Sequence, residues 1–428
     1  MILIYTQNIT PRITYTLRQV CTKILGYPIT ITSKIEDFIA HEGIKFSYGK
    51  QRLGNEFFVQ ESGLLHEQGY TDIEVKVAEW EDTICFFKVS EASDLPFDIF
   101  SASFYMLSRY EEYLPHVKNA NNSFPYQESL AYKNDFLEQP VVNIWAKKFV
   151  ALLEKKFELT HDFQRKFRVN NILVVAEGYK YKKKGIVRTV GGIFKSLLSL
   201  DLPSVIERIK VIVFLQRDPY DVYDQLVEFS KKFHFKWMSF FQLSNYSLYN
   251  KNLNHNKMTY HYLIKSMDDY GNVGLLPGKD ALEEVEVLRQ EKRRFEAIVN
   301  QPLKNICSNS FDINLPQFYN HLDELEISQD YSMCFPEIIG FRAGTCTSFS
   351  YYDITYERVS PLTLHPIVFN SNAIENYTYY ELKNNLLKIR EQVKKHHGDF
   401  SMIIKNSDFC DWLKNEKYLN LFIQLNEK

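Results

Sequence analysis

The sequence predicts an α/β chain built in two parts. Short apolar runs alternate with amphipathic segments through the second half, the signature of a parallel sheet or barrel. The content is 45% hydrophobic and 15% aromatic, which is enough to fill packed cores and more than disordered chains carry. The length, 428 residues, exceeds one typical domain. A polar stretch at 159–166, LTHDFQRK, lies between a helix and a strand. It sets the expected division into an N-terminal α/β domain, 1–163, and a second domain, 164–428.

In the first part, ILIY at 2–5 predicts a strand. Leu17, Val20 and Ile24 then share one helix face, and a strand follows at 29–32. DIEVKVAEW and TICFFKV predict further strands, and FDIFSASFYMLSRYEEYLP predicts an amphipathic helix ending before Pro115. A helix carrying Trp145, Phe149, Leu152, Leu153 and Phe157 on one face closes this part. In the second part, strands are expected at 172–176, 211–215, 237–243, 273–276, 305–307 and 401–404. Helices are expected at 220–233, 259–268, 281–299, 315–325 and 379–396. In such folds the site sits at the C-terminal strand ends, which directs attention to Glu177, Leu276-Pro277-Gly278 and 308–310.

Composition narrows the function. The formal net charge of −2 argues against non-specific nucleic-acid binding. The opening residues carry no basic segment followed by an apolar run, and no stretch approaches about 20 apolar residues. No signal peptide and no membrane span are therefore expected. The six cysteines include no CxxC pair, which speaks against a zinc knuckle and for reduced thiols in a cytoplasmic protein. No P-loop, GxGxxG, HExxH or G-x-S-x-G motif occurs.

Three stretches have two readings each. GFRAGTCTSFSYYD, 340–353, combines Gly340 and Gly344 with Arg342 and the rings Phe349, Tyr351 and Tyr352. Such a set suits sugar binding, with Arg342 as a fork for a carboxylate or oxyanion. It equally suits a structural loop with Arg342 in an internal ion pair. In PLTLHPIVF, His365 reads as a hydrogen-bonded core residue or as a site acid. YKYKKKG, 179–185, reads as a solvated loop anchored by tyrosines, with phosphate binding as the weaker reading. EKRRFE and EQVKKHH read as solvated helix faces.

Five stretches, FDIFSASFYMLSRYEEYLP, ESLAYKNDFLEQPVVNIW, RDPYDVYDQL, DYSMCFPEIIGFRAGTCTSFSYYD and PLTLHP, together resemble the two-domain polysaccharide deacetylase-like proteins found chiefly in Bacteroidetes. The resemblance implies a distorted (β/α) barrel of the polysaccharide deacetylase type behind an accessory α/β domain. Active relatives hold zinc or another divalent metal on one aspartate and two histidines, and the metal activates water against an acetyl group. Carried over residue by residue, the two acids fall on Val174 and Ala176. The ligand histidines fall on Leu276 and Ser310, and the terminal acid falls on Lys405. Three donors for a metal are then missing. The resemblance thus implies a fold kept without its metal, needing no cofactor and binding a glycan, a sugar-containing small molecule or a protein partner. Tyr179, Tyr181, Arg342, Gly344, Thr345 and Tyr351 are the expected substrate-binding residues. The alternative is a hydrolase with a rebuilt site, in which Glu177 is base, His365 acid and Arg342 oxyanion partner.

Overall fold

The computed structural model describes residues 1–119, 123–158, 165–308 and 313–427. The expected boundary near residue 163 and the ligand position Ser310 lie outside the described residues.

Four parallel strands form the first sheet: β1 (Ile2–Tyr5), β2 (Ile29–Thr32), β3 (Lys45–Gly49) and β4 (Phe57–Gln60), in the order β2-β1-β3-β4. Between β1 and β2 the Thr10 hydroxyl accepts from the Ile13 N–H and starts a helix at Pro11, where a missing N–H costs nothing. This helix runs on as a π-helical segment, Arg18–Ile24, and buries Leu17, Val20 and Ile24 as expected. The strand-rich middle yields only a short antiparallel pair, β5 (Ala78–Trp80) with β6 (Thr83–Cys85). The helix expected up to Pro115 stops at Leu107, because Arg109 turns left-handed (φ 54°) and a 3-10 turn, Tyr110–Tyr113, follows. The last helix, Val141–Phe157, buries Trp145, Phe149 and Leu153 but turns Leu152 outward.

The second sheet has nine strands: β7 (Arg168–Val175), β8 (Trp237–Gln242), β9 (Asn272–Leu276), β10 (Asn305–Ile306), β11 (Gln329–Met333), β12 (Phe349–Asp353), β13 (Arg358–Pro366), β14 (Phe369–Asn370) and β15 (Asp399–Lys405). Their order is β12-β13-β11-β10-β9-β8-β7-β15-β14. The paired strands run parallel except β12 on β13, which is antiparallel. This is the alternating α/β architecture the sequence predicts.

Two expected elements differ. The strand at 211–215 is the end of a helix, Leu202–Ile212; Asp201 caps it by accepting from the Ser204 N–H, and Pro203 lies in its first turn. The helix at 281–299 breaks at Glu284, which is extended (φ −116°, ψ 112°), into Lys279–Glu283 and Val285–Val299.

The large sheet curls. Phe240 on β8 and Tyr331 on β11 are separated by two intervening strands, about 14 Å if the sheet were flat. Their ring centroids nevertheless lie 5.4 Å apart. Gly274 on the neighbouring strand makes room, since a Cβ there would stand 2.5 Å from the Phe240 ring. Inside the curl, Ile172, Val174, Phe240, Leu276, Cys307, Cys334, Ile367 and Ile403 form one dry cluster, with Ala176 and Tyr331 packed against it.

A second, larger core draws side chains from both sheets. The GFRAGT loop lies within that joint. Gly340 (φ +137°) meets the Leu137 carbonyl, which a Cβ would approach to 2.6 Å, and Gly344 (φ +61°) faces Met106 and Val141. Gly340→Ala combines a backbone region reserved for glycine with a backbone clash. It is expected to cost at least ~2 kcal/mol in chemical denaturation.

Candidate functional site

The strand register decides which side chains share the level where a site would form. Val174 pairs with Phe240, Phe240 with Gly274, and Gln329 with Thr363. Side chains alternate faces along a strand. One inward layer therefore holds Val174 and Phe240, and the next, toward the strand ends, holds Ala176, Gln242, Leu276, Cys307, Tyr331 and His365.

Of the positions that the resemblance marks for metal and base, Val174, Ala176 and Leu276 lie close together among the described residues. Val174 and Leu276 lie in the dry cluster and Ala176 packs on it. None can donate to a cation. Among the described residues no group of three or more His, Cys, Asp or Glu side chains could hold a metal ion. Val174, Ala176 and Leu276 offer a divalent metal no ligand.

His365 sits at the same level. Its ring stacks on Tyr331, 4.2 Å between centroids and 4° from parallel. Nδ1 lies 3.1 Å from Ser348 Oγ and Nε2 lies 2.7 Å from Gln329 Oε1. A single tautomer satisfies both contacts: the serine donates to Nδ1 and the Nε2–H donates to glutamine. Burial pushes its pKa down to about 4, so the ring is neutral at physiological pH and lacks the imidazolium proton that a general acid gives.

Arg342 is 1% exposed. Its Nε and Nη2 donate to the two carboxylate oxygens of Glu112 at 2.9 and 2.7 Å, and Nη1 donates to the Cys334 carbonyl at 3.1 Å. Arg109 Nε donates to the same Glu112 at 2.7 Å. The two guanidinium groups outweigh burial and hold the Glu112 carboxyl below its usual range. This is the internal ion pair, and it spans from the joint into the first part. Glu177 is partnered by Lys184. The three residues of the rebuilt-site alternative thus engage three separate sets of partners.

The expected substrate-binding residues are internal as well. Thr345 donates to Asn143 Oδ1 at 2.7 Å, and Tyr351 meets the Tyr113 hydroxyl at 3.0 Å. Gly344 accepts at its carbonyl from the Val142 N–H. Tyr181 is buried and donates to Glu207 at 2.8 Å. Tyr179 packs edge-on against Tyr223. The YKYKKKG loop is shaped by Asp218 of the RDPYD stretch. The N–H groups of Lys180, Tyr181 and Lys182 each donate to that carboxylate at 2.8 Å, so a backbone nest exists and the chain's own acid fills it.

An open groove lies elsewhere on the same edge of the sheet, past the ends of β14 and β15, with a volume of about 680 Å³. The helix Asn406–Lys414 supplies Asp408, Asp411 and Trp412, spaced three and four residues apart and hence on one face. Lys405, at the carried-over acid position, lines it too, as do Tyr418, Tyr126 and Glu337. Ser371 donates to Asp408, and the Trp412 and Tyr418 rings stack at 6.3 Å and 22°. This spacing in NSDFCDWLK was visible in the sequence as two carboxylates and an indole on one helix face, directly after the last strand.

EKRRFE is a solvated face only in part, since Glu291 and Phe295 are buried. Glu291 reaches the end of β9, where the Gly278 N–H donates to Oε2 at 3.1 Å, and Oε1 finds no hydrogen-bond partner among the described residues. Burial raises its pKa to about 7.

Residues 2–158 match DUF7033, a family of unknown function. No curated protein matches the chain. Among solved structures, "Crystal structure of putative polysaccharide deacetylase from Mycobacterium smegmatis" is similar with a TM-score of 0.39 and 8% identity, over 63% of this chain and 86% of that one.

Proposed function

We propose that the chain is a polysaccharide deacetylase-like protein that does not carry out the metal-dependent reaction, and that it binds a sugar-containing ligand in the groove beside β14 and β15. The observation that carries this reading is that Val174, Ala176 and Leu276, three positions the resemblance marks for the acids and a ligand, carry no donor atom. Val174 and Leu276 belong to an apolar cluster and Ala176 packs against it, where the reaction of active relatives needs a cation, a base and water. His365, neutral and stacked on Tyr331, offers no acid in compensation.

The groove supplies what a saccharide needs instead. Asp408 and Asp411 accept hydroxyl hydrogen bonds, Lys405 donates, and Tyr126 and Tyr418 present ring surface to pyranose faces.

Two measurements test the reading. Protein incubated with zinc and desalted is expected to retain far less than one equivalent and to release no acetate from acetylated oligosaccharides. One tightly held equivalent, or metal-dependent acetate release, would defeat it. Calorimetric titration with neutral, N-acetylated and acidic oligosaccharides is expected to find a ligand whose affinity drops about tenfold or more in D408A/D411A, as loss of charged hydrogen-bond partners implies. Unchanged affinity in that variant would remove the groove from the proposal.

A further inference from the structure

The crossover from β7 to β8 contains more chain than the connection needs. The helix Tyr223–Phe233 already packs on the sheet, with Leu226 fully buried. Two further helices, Ile186–Leu198 and Leu202–Ile212, form a hairpin in front of it, joined by a turn through Leu200. A surface helix ordinarily turns its apolar stripe inward, whereas here Val205 and Val211 turn inward and most of the other apolar side chains do not. The polar sides are pinned to the body: Arg188 lies over the Tyr246 ring at 3.6 Å and donates to the Asn252 carbonyl at 3.0 Å, and Arg208 lies over the Tyr181 ring at 4.8 Å. The apolar sides face outward, with Ile186, Leu198, Leu200 and Phe214 each more than four-fifths exposed, at 84%, 81%, 85% and 83%.

The charge around this surface is mainly positive. From Glu177 to Asp221 nine lysines and arginines stand against five acids, a local surplus of cations in a chain whose formal net charge is −2. Lys183, Lys195 and Lys210 are exposed among the apolar side chains. A contiguous apolar surface of this kind marks a docking face, and an excess of cations around it selects an anionic occupant.

We infer that the hairpin is a membrane-interface anchor, and that it lays its outward apolar side chains into the headgroup boundary of a bilayer rich in anionic lipids while its lysines pair with the headgroups. Amphipathic helices with basic residues bind bilayers in this way without spanning them, and among the described residues no helix is long and apolar enough to cross a membrane. A second copy fits less well, because two-fold pairing would set one basic surface against another. The anchor would lie at the same edge of the sheet as the loop after β7.

Vesicle flotation with the full chain tests this. Binding is expected to phosphatidylglycerol-containing vesicles, with about tenfold less to pure phosphatidylcholine and a marked loss at high salt. The variants L198S/L200S/F214S and K183E/K195E/K210E are each expected to lose binding about tenfold or more with unchanged circular dichroism. Three outcomes overturn the inference: no flotation of the wild-type chain, equal binding to phosphatidylcholine, or a wild-type dimer in solution that the serine variant dissolves.

Discussion

Arg342→Ala is expected to lower stability by ~3–5 kcal/mol, the usual result of stripping one partner from a buried ion pair. The guanidinium is fully enclosed, donates to Glu112 and to the Cys334 carbonyl, and bridges the loop after β11 to Glu112 of the first part. Its removal leaves the Glu112 carboxylate buried with Arg109 alone. Urea denaturation would register the loss as a lower midpoint. The double variant R342M/E112L is expected to recover part of it, because both charges of the pair are gone while buried Arg109 loses Glu112 and keeps only Glu111. A stability left unchanged by Arg342→Ala would mean that the joint does not depend on this pair and would reopen a role for Arg342 in ligand chemistry.

Glu291→Gln is expected to stabilise the protein, and only at neutral to alkaline pH. The folded carboxyl has its pKa raised to about 7 by burial, whereas an unfolded glutamate titrates near ~4.3. A group raised on folding contributes its full stabilisation below the unfolded value and loses it as pH climbs through the folded one. Wild-type stability should therefore fall between about pH 4 and about pH 7, by up to ~3 kcal/mol if the whole shift is expressed. Glutamine carries no titrating proton and still offers an oxygen to the Gly278 N–H. The two proteins should be nearly equal at about pH 4 and differ by up to ~3 kcal/mol at about pH 8. Thermal melts across that range read the crossover, and parallel pH curves for the two proteins would count against a buried, neutral Glu291.

Much of the fold was legible in the sequence because periodicity reports burial directly. β7, β8, β9 and β15 each carry an apolar run, and the helix starting at Tyr379 announces itself with a Thr378–Glu381 capping box. The failures have identifiable causes. VIVFL at 211–215 is β-branched and apolar like a strand. Its helical state was set ten residues upstream, by Asp201 and Pro203, and its outward apolar face breaks the rule that such residues seek a core. EKRRFE hid Glu291, because a helix of alternating charge gives no local sign that one carboxylate points into the sheet.

The candidate site shows the same limit. The apolar identity of Val174, Ala176 and Leu276 could be read directly, and the structure brings these positions together. GFRAGT could not be resolved by composition, since a glycine needed for a ligand and a glycine needed for a neighbouring backbone look alike. Only Leu137, Met106 and Val141, far away in sequence, decide between them.

That joint has a consequence for how such a sequence can change over generations. Gly340 is matched to Leu137, Gly344 to Met106 and Val141, and Arg342 to Glu112. Loss of either charge of the Arg342–Glu112 pair calls for a change in the other, while Gly340 and Gly344 are held by their positive φ as well as by these neighbours. The first part and the curled sheet are therefore expected to drift together, as one inherited unit. In an alignment of homologous sequences, columns 106–142 and 340–344 should show correlated substitution, and the outward face of the helical hairpin should vary independently of both.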